Sequence, residues 1–153
     1  MLQKGADIEH RSDIRNTAVS HAASNGQNKA IAFLQSQGAD INTTSSNGTT
    51  ALMYAAWFGY AETVEFLVDR EVDLHTKNSR GETALHYAGK KEGDGNLEAM
   101  KVLVNRGADL EAKGQDGFTP LLCCLSKAIF KEPSFYLVEE LAWMCNQQLG
   151  RQL

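Results

Sequence analysis

The chain repeats itself. Slid along its own length, it brings threonines into coincidence at Thr17, Thr50, Thr83 and Thr119, in steps of 33, 33 and 36 residues. Aspartates at Asp40, Asp73 and Asp109 follow in steps of 33 and 36. The stretch "NTAVSHAASNGQNKAIAFLQSQGADIN" lies over "TTALMYAAWFGYAETVEFLVDREVDLH", and both lie over "ETALHYAGKK" followed by "GNLEAMKVLVNRGADLE". A period of this length marks one supersecondary unit that cannot bury its apolar face alone and must stack on its neighbours. The expected architecture is all-α: a solenoid of about four helix-turn-helix units with short hairpin loops, sharing one continuous core.

Each unit reads as a short helix, a turn, a longer helix and a polar loop. The threonine is placed to cap the first helix, its hydroxyl accepting a bond from a free backbone N–H of the first turn. Pro120 follows Thr119 at the first helical position, where a missing N–H is harmless. Ala22-Ala23 and Ala55-Ala56 are small, as expected where another helix passes close by. Gly26, Gly59 and Gly95 are expected to end the first helix in a left-handed conformation. The second helix carries an apolar stripe at helical spacing: Ile31 and Leu34, Val64 and Leu67, Met100 and Leu103. Gly38 and Gly107 stop it, and the following loop turns at Asn47-Gly48, Arg80-Gly81 and Asp116-Gly117.

With starts reading "TAVS", "TALM", "TALH" and "TPLL", and ends reading "GADIN", "EVDLH" and "GADLE", the units resemble the ankyrin repeat. The resemblance covers nearly the whole chain. It implies a non-enzymatic scaffold that binds a partner protein through a concave groove of hairpin tips and first helices. Glu71 departs from the pattern at a place held by glycine in the family, and a left-handed Glu71 there costs about 1 kcal/mol. Arg15 replaces the loop-tip glycine of the first unit. Only His86 matches the family's histidine, which implies hydrogen bonds within its own repeat and toward the next.

The expected organisation is a remnant repeat loop over 1–12, repeats over 13–45, 46–78 and 79–114, and a divergent C-terminal capping repeat over 115–153. The opening "LQKGADIE" reads as the tail of a preceding repeat, so the chain is either a piece of a longer array or has its first full unit as a cap. The third repeat has three extra residues in "GKKEGDGN", read as an enlarged solvated turn. "GDGNLE" lacks the third glycine and the preceding strand of a nucleotide-binding loop. After "TPLLCCL" a longer link leads to "FYLVEELAWMCNQQLG", whose Leu137, Leu141, Met144, Cys145 and Leu149 form the stripe of a final helix.

The repeats also serve as an internal control on exposure. Trp57 and Phe58 occupy the slot of Ser24-Asn25, Lys90-Lys91 and Ser126-Lys127, and a slot that takes Ser, Asn and Lys is expected to face water. Phe118 shares its slot with Asn16, Thr49 and Glu82 beside the loop tip. The expected partner-binding residues are therefore Trp57, Phe58, Tyr60 and Phe118, with Asn47, Thr49, Arg80, Glu82, Lys90, Lys91 and Asp116 around them. The alternative for Trp57 is a half-buried lid folded back over its neighbours. Tyr54 is read as packing against the next repeat.

Composition narrows the class of partner. Fifteen basic against nineteen acidic residues give a net charge of −4, with no excess of cations for nucleic acid or an anionic membrane. No apolar run approaches the roughly 20 residues of a membrane span, and "MLQKGADIEHRSD" lacks the apolar core of a secretory signal. Three cysteines, two of them adjacent, cannot form a disulfide framework, which points to an intracellular, cytoplasmic setting. His10, His21, His75 and His86 are scattered without metal-ligand spacing, and Cys124 falls in a small-residue packing slot, so no catalytic, metal or cofactor site is expected. The competing functional readings are a regulatory or targeting segment of a larger enzyme or channel, a spacer without a ligand, and a small-anion site at the glycine-rich turn of the third repeat. Partner identity and oligomeric state stay open.

Overall fold

Capping threonines start the first helices as their spacing predicts. In a computed structural model describing residues 7–10, 12, 16–91 and 94–128, with positions 139, 142, 143, 146 and 150, the Thr17 hydroxyl accepts from Ser20 N at 3.3 Å. Thr50 accepts from Met53 N at 3.2 Å and Thr119 from Leu122 N at 3.4 Å. The helices are α1 (Ala18–Ala23), α2 (Asn28–Ser36), α3 (Ala51–Phe58), α4 (Ala61–Val68), α5 (Ala84–Lys90), α6 (Asp94–Asn105) and α7 (Pro120–Ala128). Among the described residues there is no strand, only an isolated bridge between Thr44 and Thr50.

The first helices α1, α3, α5 and α7 stand side by side in one row, and α2, α4 and α6 back onto them. Between the rows lie Val19, Ile31, Leu52, Met53, Val64, Leu67, Leu85 and Leu103, all buried. Ala22, Ala23, Ala55, Ala56, Ala88 and Gly89 line the close approaches. At about 25 cal/mol per Å² of apolar surface, this shared core is the main stabilising term.

Two further sets of bonds tie unit to unit. At the hairpin tips, Ser79 N donates to Asn47 O and Gln115 N to Arg80 O, each at 2.8 Å. On the second-helix side, Arg70 Nε reaches Gln35 Oε1 at 3.1 Å, while Arg106 reaches Glu65 at 3.0 Å and also pairs with Asp69. The loop after each second helix is built alike: Asp40, Asp73 and Asp109 each accept the backbone N–H two residues on, at 2.8–2.9 Å. Asp7 does the same for Glu9, whose own carboxylate accepts from Asp40 N at 2.8 Å.

Two local expectations need adjusting. Gly26 and Gly59 are left-handed at φ 68° and 75°, but Gly95 does not end a helix. It lies in the first turn of α6, which has 12 residues against 8 in α4, so the extra residues of the third repeat lengthen the second helix and not the turn. Lys91, just past α5, is already extended at φ −120°. Glu71 does keep the left-handed place held by Gly38 and Gly107, at φ 59°, and among the described residues it is the one non-glycine with positive φ.

The expected C-terminal stripe of Leu137, Leu141, Met144, Cys145 and Leu149 lies outside the described residues, as does Arg15. Trp143 packs against the core, while Glu139 and Asn146 are exposed. No helix among the described residues is long and apolar enough to cross a membrane.

Glu71→Gly relieves the left-handed Cβ and is expected to stabilise the fold by about 1 kcal/mol, raising Tm by about 2–4 °C in a thermal melt. An unchanged or lower Tm would show that Glu71 is not strained.

Candidate functional site

At the C-terminal end of α3, Phe58 is 43% exposed and stacks on Tyr60, with centroids 6.3 Å apart and planes at 26°. Lys91 holds its ammonium 4.9 Å from the Phe58 centroid, a cation–π arrangement. The Tyr60 ring lies on the turn of the first unit, where a Cβ on Gly26 would come within 2.9 Å of it. Side chains of the second and third units and backbone of the first thus meet in one partly apolar patch. Asn25, Phe58 and Lys91 are all exposed, as the shared slot predicts.

Trp57 behaves differently. It is half-buried, like Ser24 and Lys90 in the same slot, and its ring meets Tyr87 edge-on at 5.9 Å and 68°. The expectation that both rings face solvent is corrected for Trp57, which is the lid over its neighbours.

At the other end of the first helices, about 12 Å away along α3, Asn47, Arg80 and Asp116 are exposed on the hairpin tips. Phe118 is 41% exposed, yet Thr49 and Glu82 in the same slot are 1% and 3% exposed. The expectation that these two stand ready for contact is corrected by the neighbouring units. Tyr54 OH covers Asn16, donating to its Oδ1 at 2.9 Å, and Tyr87 OH covers Thr49 at 3.2 Å. The equivalent residue of the fourth unit is Cys123, too short to reach Glu82, and Lys90 pairs with Glu82 instead.

These contacts link the two ends. Trp57 rests on Tyr87, whose hydroxyl accepts from Asn78 Nδ2 at 3.0 Å, and Asn78 Nδ2 also donates to Glu82 Oε2 at 3.1 Å. Glu82 pairs with Lys90 and, at 3.4 Å, with Arg80. Burial alone would raise the Glu82 carboxyl, but hydrogen bonds from Lys90 and Asn78 and the charges of Lys90 and Arg80 outweigh it and hold it below its ordinary range. Glu82 and Lys90 therefore act as an internal clamp, leaving Lys91 as the cation beside the exposed rings.

Asn96 has no precursor in the sequence reading. Its buried side chain, on the lengthened start of α6, donates to Ala56 O and Trp57 O, both at 2.9 Å, and so caps α3 directly beneath the aromatic patch. The signal was present as a polar residue inside the insertion, but its reach depends on α6 starting early.

Cys123 and Cys124 offer no activated thiolate. Burial, then the neighbouring Cys123, pushes Cys124 up to about 12, and burial raises Cys123 as well. Cys124 Sγ lies 3.8 Å from Met100 Sδ, and α5 passes so close that a Cβ on Gly89 would sit 2.8 Å from that sulfur.

Residues 1–78 match the family model described as ankyrin repeats in three copies, and residues 80–115 match the model for a single ankyrin repeat. No curated protein gives a significant match.

Asn96→Ala removes both side-chain bonds to the C-terminal carbonyls of α3 and is expected to cost about 1–3 kcal/mol in urea unfolding. Trp57 fluorescence should shift in the native state. An unchanged midpoint and spectrum would remove Asn96 from this role.

Proposed function

Because the chain belongs to the ankyrin repeat family, whose repeats are generally protein–protein interaction modules, we propose that it binds a partner protein across the face made by its first helices and hairpin tips. The observation that carries this reading is the stacked, exposed Phe58–Tyr60 pair with Lys91 beside it. The slot of Phe58 takes Asn and Lys in neighbouring repeats, so the stack does not require a ring there, and both rings keep much of their surface in water. They gain free energy when a partner covers them.

Trp57, Tyr87 and the Glu82–Lys90 clamp hold this face in shape before binding, so little ordering is required on association. Asn47, Arg80, Asp116 and Phe118 supply the contacts at the hairpin end. Thr49 and Glu82 shape the surface from beneath and do not touch the ligand. Repeats of this family are typically non-catalytic, and nothing in the geometry of the face calls for chemistry beyond recognition.

Site-specific photo-crosslinkers placed at Phe58 and, on the opposite side, at Glu98 provide the test. The proposal expects a crosslinked protein from position 58 and none from 98, with the yield falling steeply when Tyr60→Ala is added. One buried aromatic anchor contributes about 2 kcal/mol, or roughly thirtyfold in affinity. Crosslinks from Glu98 alone would place the partner on the second-helix side and overturn the reading.

A further inference from the structure

The slot that follows each capping threonine by three residues holds Ser20, Met53, His86 and Leu122. Only the third unit fills it with a group that titrates near neutrality. His86 is 1% exposed. Its Nδ1 accepts from Thr83 N at 3.1 Å and lies 2.9 Å from Thr83 Oγ1, which fixes the proton on Nε2. That Nε2–H donates to Phe118 O at 3.1 Å, across the boundary to the fourth unit. The same Phe118 carbonyl closes its own hairpin by accepting from Gly114 N at 3.0 Å.

We propose that His86 is a pH-sensitive latch between the third and fourth units: when it gains a proton, the 114–118 hairpin and α7 come away while the preceding units stay folded. The proton can enter only at Nδ1, which then points an N–H at the Thr83 N–H. Thr83 Oγ1 can accept the new proton, but the Thr83 amide is left without an acceptor in a buried site, and a cation is buried with it. Relief comes from letting water in, and the side toward α7 is the easiest to open, since Phe118 and Leu122 already stand 41% and 44% exposed there.

The surrounding groups agree in sign. Burial lowers His86 from its ordinary value near 6.5. The Phe118 carbonyl and the Glu82 carboxylate oppose that shift, and Lys90 and Lys77 reinforce it. Arg80 is engaged with Glu82, and Asp116 and Cys123 lie on the elements that would leave. On the other sides, α3 has no charged residue, and Glu98 and Lys101 of α6 pair with each other at 3.0 Å. A histidine depressed in the folded state contributes stability above its unfolded value, and that contribution is lost as pH falls from there through the folded value. The carboxyls of Glu82 and Asp73, both held below their ordinary 4.5 and 3.8, lose their contributions only at lower pH.

Residue-resolved amide exchange, corrected for intrinsic rates, from about pH 7.5 to about pH 5 tests the latch. The expected result is that residues 114–125 lose protection by up to about tenfold per pH unit as pH falls from the ordinary histidine value near 6.5 to the folded value of His86, while α3 and α4 keep theirs. In His86→Gln the step disappears. Flat protection of α7 down to about pH 5, an equal loss in every unit, or the same step in His86→Gln would each overturn the proposal. If His86→Gln fails to fold, direct NMR titration of the wild-type imidazole decides: a value below the ordinary histidine supports the latch, and one at or above it contradicts it.

Discussion

Where α5 passes α7, one added carbon on Gly89 would meet the Cys124 sulfur at 2.8 Å and the Pro120 carbonyl at 2.9 Å. That closeness, with Ala55, Ala56 and Ala88 at the neighbouring contacts, is the constraint on which the rest depends. Helices this short are marginal alone, with α1 having six residues and α5 seven, and isolated helices need about 12–15 residues to hold together in water. They persist because each is clamped by the row beside it. Tip-to-tip backbone bonds and the arginine links between second helices then fix the spacing at which the rows meet.

The same coupling decides exposure. A side chain in a stacked array is wet or dry according to what the next unit sends over it. Tyr54 and Tyr87 extend their hydroxyls onto the preceding unit, half-burying Asn16 and fully burying Thr49. Cys123 cannot do so, and Glu82 is drawn instead into a pairing with Lys90 that keeps a carboxylate buried and ionised. Phe58 and Tyr60 escape this covering because, among the described residues, their end of the row meets the turn at Gly26 and the extended chain at Lys91.

Most of the fold was legible in the sequence because its main determinants are local and repeated. The capping threonines, the left-handed turns at Gly26 and Gly59 and the strained Glu71 each lie where the period puts them. The site was legible only in part. Comparing slots placed Phe58 in water, as Asn25 and Lys91 are, but it misplaced Trp57, Thr49 and Glu82, whose burial depends on the reach of a side chain 30 or more positions away for the first two and on a lysine of the same repeat for the third. The insertion was misread for a related reason. Whether extra residues join a turn or a helix depends on a tertiary bond, here Asn96 onto the end of α3, which no local pattern announces.

Neighbour-clamped stability can be measured residue by residue. Leu85 is fully buried in α5, which packs on both α3 and α7, and Leu85→Ala removes core packing without touching another unit's sequence. Amide exchange should then show α3 and α7 losing protection along with α5. If α5 opens while α3 retains its native protection, the units stand independently and the account is wrong.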